Sequence, residues 1–319
     1  MATADQIKSL IRSYNVDDKE KFYSVALQVA AHEAKRGHAS LAHEIRGMVD
    51  SRRKEEKQSL KVVSFPSELK GLIHPQEPST PKSALVMEAS ISSRIEKVIN
   101  EYFQRGKLHA HGLSNRRKLL FVGPPGTGKT MTAEVLANEL HLPLNIIQVD
   151  RLVTKFMGET SAKLRLIFDH MKQNKGIYFF DEFDAIGGDR NLDNDVGEMR
   201  RVLNAFLQFL EQDKSESFIL GATNNPNLLD TALFRRFDDV LIYKLPQEEQ
   251  RKAIIANVLG TFKASRFAWS KVLEKSEGLS CSEITSATRD AIKEVILADK
   301  NKVSSTILIE ALQQKIGSF

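Results

Sequence analysis

The segment that most restricts the fold runs from residue 118 to residue 140. An apolar run, Lys118 to Val122, is followed directly by Gly123-Pro124-Pro125-Gly126-Thr127-Gly128-Lys129-Thr130 and then by the helix-like Met131 to Leu140. A strand must deliver the glycines, whose backbone N–H groups turn inward around an anion, and a helix must leave with its positive end aimed at the same point. Lys129 then reaches the β and γ phosphates of a nucleotide, and Thr130 holds Mg²⁺. The competing reading is a Pro/Gly turn that happens to contain a lysine. It leaves unexplained why strand, eight-residue pattern and helix occur in the required order.

Downstream the chain alternates. Leu144 to Val149 reads as a strand, Ser161 to Lys172 as a helix, Ile177 to Asp181 as a strand and Val196 to Leu210 as a helix. Phe218 to Ala222 and Val240 to Tyr243 read as further strands. Such alternation predicts an α/β fold, a parallel sheet with helices on both faces and ligands at the C-terminal strand ends. Ile177-Tyr178-Phe179-Phe180 buries a central strand, and Asp181 and Glu182 emerge at its end. Burial of two carboxylates in isolation there would be costly unless a cation compensates, and nucleotide-bound Mg²⁺ supplies one. Asp181 orients the metal through water, and Glu182 polarises the water that attacks the γ phosphate. Asn224, closing the strand Gly221-Ala222-Thr223, is placed to hold that water. Arg235 and Arg236 sit in a later loop. Their planar forks suit phosphate oxygens and, at a subunit edge, they would act in a neighbour's site; a surface salt bridge is the plainer alternative.

Taken together, GPPGTGKT, FFDEFDAIG and GATNNPNLLDTALFRRFDD resemble the AAA+ ATPases, specifically the AAA clade with its Walker A, Walker B and second region of homology, over roughly Leu119 to Pro246. The resemblance implies a P-loop AAA+ module with ATP and Mg²⁺ as cofactors. Pro125, Gly126, Thr127, Gly128, Lys129, Thr130 and Met131 would hold nucleotide, Thr130 and Asp181 the metal, and Glu182 and Asn224 the hydrolytic water. It also implies a hexameric homo-oligomer in which Arg235 and Arg236 enter from the next subunit. Many members separate these two arginines, whereas here they are adjacent. Phe156, Met157 and Gly158 resemble the family's pore loop, which grips an extended polypeptide; the alternative is that Phe156 and Met157 are core. The acidic, Asn-rich Asp189 to Asp195 resembles a second pore-facing loop.

Residues 247–319 turn helical and resemble the family's C-terminal helical lid. Within them Gly278-Leu279-Ser280-Cys281-Ser282-Glu283-Ile284 is similar to the clade's Gly-x-Ser-Gly-Ala-Asp-Leu stretch near the adenine, with Cys281 and Ser282 in place of Gly-Ala. Cys281 reads as a small packing residue, since no histidine lies near it in sequence.

Ahead of the module, residues 1–53 read as a small helical domain. Ile7, Leu10 and Ile11 mark a first helix, Phe22, Val25, Ala26, Val29 and Ala30 one apolar face, and Leu41, Ile45, Met48 and Val49 another, with Gly37 as a cap between them. A packing appendage and a docking module are both open readings. Residues 54–83, charged and then rich in proline, read as a linker with Leu69, Leu72 and Ile73 free to dock. The large subdomain spans 84–246, and the turn before its first helix is a candidate lining for an adenine pocket.

Composition excludes other classes. In 319 residues the net charge of +5 comes from interleaved acids and bases, which gives no concentrated basic helix for nucleic acid. One cysteine excludes an internal disulfide, no apolar run is long enough for a bilayer, and no secretory pattern opens the chain, so a cytoplasmic protein is expected. An Asn-Lys-x-Asp guanine reader is absent, as are Gly-x-Ser-x-Gly and His-Glu-x-x-His, so any proteolysis must come from elsewhere. The layout of helical unit, Pro-rich segment and single module resembles small bacterial AAA proteins paired with a subtilisin-like serine protease in phage defence. The expectation is an ATP-hydrolysing ring that remodels or threads a protein substrate with such a protease. The alternative is a nucleotide-dependent switch or scaffold.

Overall fold

The computed structural model describes residues 8, 19–35, 38, 41–49, 69–152, 159–183, 195–225 and 231–316. Met1–Ser64 and Phe65–Phe319 form two compact units.

In the first unit, helix α1 (Lys19–Lys35) buries Val25, Ala26, Val29 and Ala30 of the expected face, together with Tyr23, while the expected Phe22 side chain lies outside the described ones. The helical stretch 41–49 differs from expectation: it buries Ala42 and Val49 and leaves Leu41 and Met48 exposed. Ile7, Leu10, Ile11 and Gly37 lie outside the described residues.

The second unit is built on a six-stranded sheet in the order β1-β3-β4-β5-β2-β6. Its strands are β1 (Ile73–Gln76), β2 (Lys118–Val122), β3 (Leu144–Ile147), β4 (Ile177–Phe180), β5 (Phe218–Thr223) and β6 (Asp239–Ile242). All pairings are parallel except that of β1 with β3. Period-two alternation divides the apolar strands between two cores. Leu120, Tyr178, Phe180 and Ile219 meet Leu164, Phe168 and Phe206 from α6 (Glu159–Gln173) and α7 (Asp195–Gln212) on one face. Leu119, Phe121, Phe179 and Leu220 meet Ile91, Ile95 and Leu136 from α2 (Ala89–Phe103) and α4 (Lys129–Leu140) on the other. Both faces of β4 and β5 are therefore dry, which explains four and six consecutive buried residues in them. Each buried Phe or Leu contributes about 1.5–3 kcal/mol.

Short helices complete this layer: α3 (Arg105–Ala110), α5 (Val149–Leu152) and α8 (Thr231–Phe234). The lid comes next as α9 (Glu248–Leu259), α10 (Trp269–Lys275), α11 (Cys281–Leu297) and α12 (Ser305–Ile316), packed around Ile255, Val272, Ala287, Ala291, Val303 and Leu308.

One expected boundary changes. The stretch read as linker is structured from residue 69: Leu69, Leu72 and Ile73 join the core beneath the sheet, and β1 pairs with β3 from Ile73↔Ile147 to Gln76↔Leu144. The chain is then fastened to α4, where the two Glu134 carboxylate oxygens accept from Gln76 Nε2 and Thr80 Oγ1, both at 2.8 Å. No helix among the described residues is long and apolar enough to cross a membrane.

Candidate nucleotide site

The adjacent strands β2, β4 and β5 all end at one place, because Val122 lies opposite Thr223 and Phe180 opposite Gly221. The segments leaving these three strands converge there. After β2 comes the glycine loop, which turns through positive φ at Gly126 (72°) and caps α4 with Gly128 (100°). Gly126 is there by necessity: a Cβ would sit 2.2 Å from Ser282 Oγ and 2.7 Å from Ser280 Oγ of the lid.

Lys129, the first residue of α4, is 7% exposed, and its ammonium donates to Gly123 O at 2.7 Å, Pro124 O at 2.8 Å and Asn224 Oδ1 at 2.7 Å. The loop lysine and the residue after β5 are thus joined directly. Thr130 Oγ1 donates to Asp181 Oδ2 at 2.9 Å, and Asp181 Oδ1 accepts from Glu182 N at 3.0 Å. Glu182 adopts φ of 51°, a strained conformation for a residue with a side chain, and strain of this kind is held by its surroundings at functional positions. Here the next residue supplies the hold: Phe183 is fully buried and its N–H bonds Ala222 O at 2.8 Å.

A cavity of about 610 Å³ runs over these groups and is closed on its far side by α11. That helix starts with a reciprocal cap between Ser280 and Glu283, and its second residue donates from Ser282 N to Gly126 O at 3.0 Å. The replacement of Gly-Ala by Cys281-Ser282 still permits this backbone approach to the loop. Cys281 lies against Thr127 O with Sγ at 4.0 Å, and burial pushes its thiol up to about 11, away from the nucleophilic form.

A second cavity of about 170 Å³ shares Cys281 with the first and is also lined by Thr127. Val86, Met87 and Ile91 form one wall, from the turn expected near an adenine and the helix that follows it. Tyr243, Leu245 and Pro246 form the other, and sequence reasoning missed them because the strand-to-lid connection carries no motif of its own. The Tyr243 hydroxyl donates to Thr132 Oγ1 at 2.9 Å, fixing that wall to α4.

Pro125, Gly126, Gly128, Lys129, Thr130, Met131, Asp181, Glu182 and Asn224 all line the larger cavity, and Thr127 lines the smaller. Arg235 and Arg236 lie elsewhere, in the exposed turn after α8. They differ in partnership: Arg236 is paired with Glu211, whereas Arg235 has no ion pair among the described residues. Phe156, Met157 and Gly158 lie outside the described residues, as does the Asp189 to Asp195 stretch but for its last residue.

A parallel α/β sheet with a glycine loop and paired carboxylates at its C-terminal edge defines a nucleotide-binding class. Residues 119–245 match the family described as ATPase family associated with various cellular activities (AAA). The chain is 32% identical to the uncharacterized AAA family ATPase y4kL of Sinorhizobium fredii, over 99% of this chain and 96% of that one. It is 32% identical to a protein of Methanothermobacter thermautotrophicus named as a putative 26S proteasome regulatory subunit homolog, over 62% of this chain and 55% of that one. A protein of Methanocaldococcus jannaschii with the same description is 31% identical over 70% of this chain and 61% of its own. The chain therefore spans little more than half the length of these proteasome-related relatives. The chain belongs to the AAA family of ATPases. It is an enzyme that binds nucleotide and hydrolyses ATP.

Proposed function

We propose that this ATPase works as a hexameric ring that remodels or threads a protein substrate, in the cytoplasm, beside a separate subtilisin-like serine protease in antiphage defence. The observation that carries the hydrolytic part is the convergence of Lys129, Thr130, Asp181, Glu182 and Asn224 at three adjacent strand ends. The part concerning protein substrates draws on relatives named for a proteasome regulatory subunit and on the pore-loop resemblance of Phe156, Met157 and Gly158.

In this reading the adenine occupies the smaller cavity and the phosphates lie along residues 125–131. Thr130 and Asp181 present a hydroxyl and a carboxylate, hard oxygen donors suited to Mg²⁺, which usually completes its shell with water and phosphate. When bound, the ion neutralises charge on the β and γ phosphates. Lys129 exchanges its carbonyl partners for phosphate oxygens. Asn224, already oriented by Lys129, positions the attacking water, and Glu182 takes its proton. Arg235, which unlike its neighbour has no ion pair among the described residues, serves as the arginine acting in trans.

The deciding experiment compares ATP turnover of the parent and Phe156→Ala, each with and without an unfolded model protein. Stimulation of the parent alone is expected. Equal, unstimulated turnover in both would refute threading and favour a nucleotide-timed switch or scaffold.

A further inference from the structure

The lid gathers like charge around the chain's single tryptophan. Trp269, the first residue of α10, has the ammonium groups of Lys252 from α9 and of Lys263 each 5.6 Å from its ring centroid, and the Phe267 ring lies 4.8 Å away. Arg266, next to Phe267 in the chain, is exposed, as are both lysines. Lys302 adds a fourth exposed cation. Its ammonium donates to Thr261 O at 2.7 Å, beside the bond at 2.7 Å from Val303 N to Phe262 O, which holds this stretch next to Lys263.

A solvated face normally interleaves its charges, and elsewhere the lid does so. Lys275 lies 3.6 Å from Glu274, and Lys293 and Lys315 share the Asp290 carboxylate at 3.1 and 3.0 Å. Around Trp269 the pattern fails. Lys252, Lys263, Arg266 and Lys302 have no ion pair among the described residues, although Glu248 and Glu249 precede Lys252 by one turn, and Gly260 to Leu273 carries Lys263, Arg266 and Lys271 without one acid. The indole attracts both ammonium groups, yet these still repel each other, and a carboxylate between them would relieve that repulsion. The apolar floor is ordered in advance. Phe262, Phe267 and Trp269 are half-buried against the lid core, so a ligand does not have to organise them.

We propose that this patch docks a short acidic segment of a partner protein, with an apolar side chain seated against Phe267 and Trp269 and carboxylates on either side held by Lys252, Lys263, Arg266 and Lys302. Four cations around one aromatic step complement such a segment in charge as well as in polarity. Nucleic acid is the poorer match, because its bases stack on open aromatic faces and ammonium groups already lie over this indole. The patch is separate from the nucleotide site, since none of its residues lines either cavity.

The test titrates the full-length chain into a dye-labelled synthetic peptide of glutamates bracketing one leucine, and into the same peptide with lysine for glutamate. Anisotropy reads binding, and the emission of Trp269, the only indole present, reports whether binding occurs at the patch. The acidic peptide should bind saturably with a change in indole emission, the lysine peptide should not, and affinity should fall as salt is raised from about 50 to about 200 mM. The double charge reversal Lys252→Glu with Lys263→Glu should weaken binding at least about tenfold while ATP turnover without peptide stays at the parent level. Should the reversal fail to fold, Lys252→Gln with Lys263→Gln carries the test, with a loss of at least about threefold expected. Absence of saturable binding overturns the proposal, as does binding that leaves the indole emission and the variants' affinity unchanged. Tighter binding of oligodeoxythymidylate, or of phosphatidylserine vesicles, than of the acidic peptide also overturns it and assigns the patch to nucleic acid or to a membrane surface.

Discussion

Replacing Gly126 by alanine tests how the lid meets the phosphate loop. Two separate penalties are expected. A residue with a Cβ at φ of 72° pays for the left-handed conformation, about 1–2 kcal/mol. The new methyl also arrives 2.2 Å from Ser282 Oγ, so the start of α11 must retreat and the Ser282 N to Gly126 O bond lengthens or breaks, a further loss of about 1 kcal/mol. Gly126→Ala should therefore lose about 2–3 kcal/mol in denaturant unfolding. Ser282→Ala removes the nearer of the two struck hydroxyls but leaves Ser280 Oγ at 2.7 Å and the backbone conformation strained. The double variant should recover about 1 kcal/mol, which a double-mutant cycle reads as coupling between loop and lid. ATP affinity should fall in the single variant and partly return in the double. Additive losses, with no coupling beyond about 0.3 kcal/mol, would refute the claim that loop and lid are in contact through these atoms.

The same geometry carries other expectations. Lys129→Ala should abolish turnover by removing the cation that meets the phosphates; hydrolysis within a few fold of the parent would contradict its assignment. Glu182→Gln should bind ATP normally and fail to cleave it, checked by pairing nucleotide affinity with phosphate release, and undiminished release would remove Glu182 from the role of base. At Cys281, burial raises the thiol pKa to about 11, so the thiolate that reacts is scarce at neutral pH. Alkylation should run on the order of a hundredfold slower than for an open thiol and quicken about tenfold per pH unit between about pH 7 and 10, and a plateau near about pH 8.5 would refute that environment. Asp213 is fully buried as the ion partner of Arg117 and also accepts from Ser215 N at 3.2 Å. Asp213→Ala leaves Arg117 uncompensated and should cost roughly 3–5 kcal/mol in denaturant unfolding, against which a loss under about 1 kcal/mol would count.

The strands that carry chemistry were legible because their apolar runs are long and lead directly into polar motifs. Ile177 to Phe180 ends in Asp181, and the run from Lys118 ends in the glycine loop, so local pattern and tertiary position agree. Strand β1 was not legible. Ile-His-Pro-Gln has no alternation and, past Ile73, no strand-favouring residue, and only its pairing with β3 and the burial of Leu69 and Leu72 make it a strand. The second cavity was half legible: its first wall could be anticipated from position before the loop, whereas Tyr243 to Pro246 became relevant only once the lid folded back. The difference between Arg235 and Arg236 likewise depends on Glu211, a residue far enough away in sequence that adjacency of the arginines gives no hint of it.

Strand β1 also affects colloidal behaviour. An open parallel sheet exposes unpaired N–H and C=O groups at its margins, where another chain can add on. By pairing with β3, β1 moves that margin onto four residues, one of which, Pro75, has no N–H to offer. At the opposite margin β6 is equally short and begins with Asp239, held by Arg94 and Arg116. Both ends of the sheet are thus poor templates for further strands, and encounters between copies of this chain are steered away from its sheet edges.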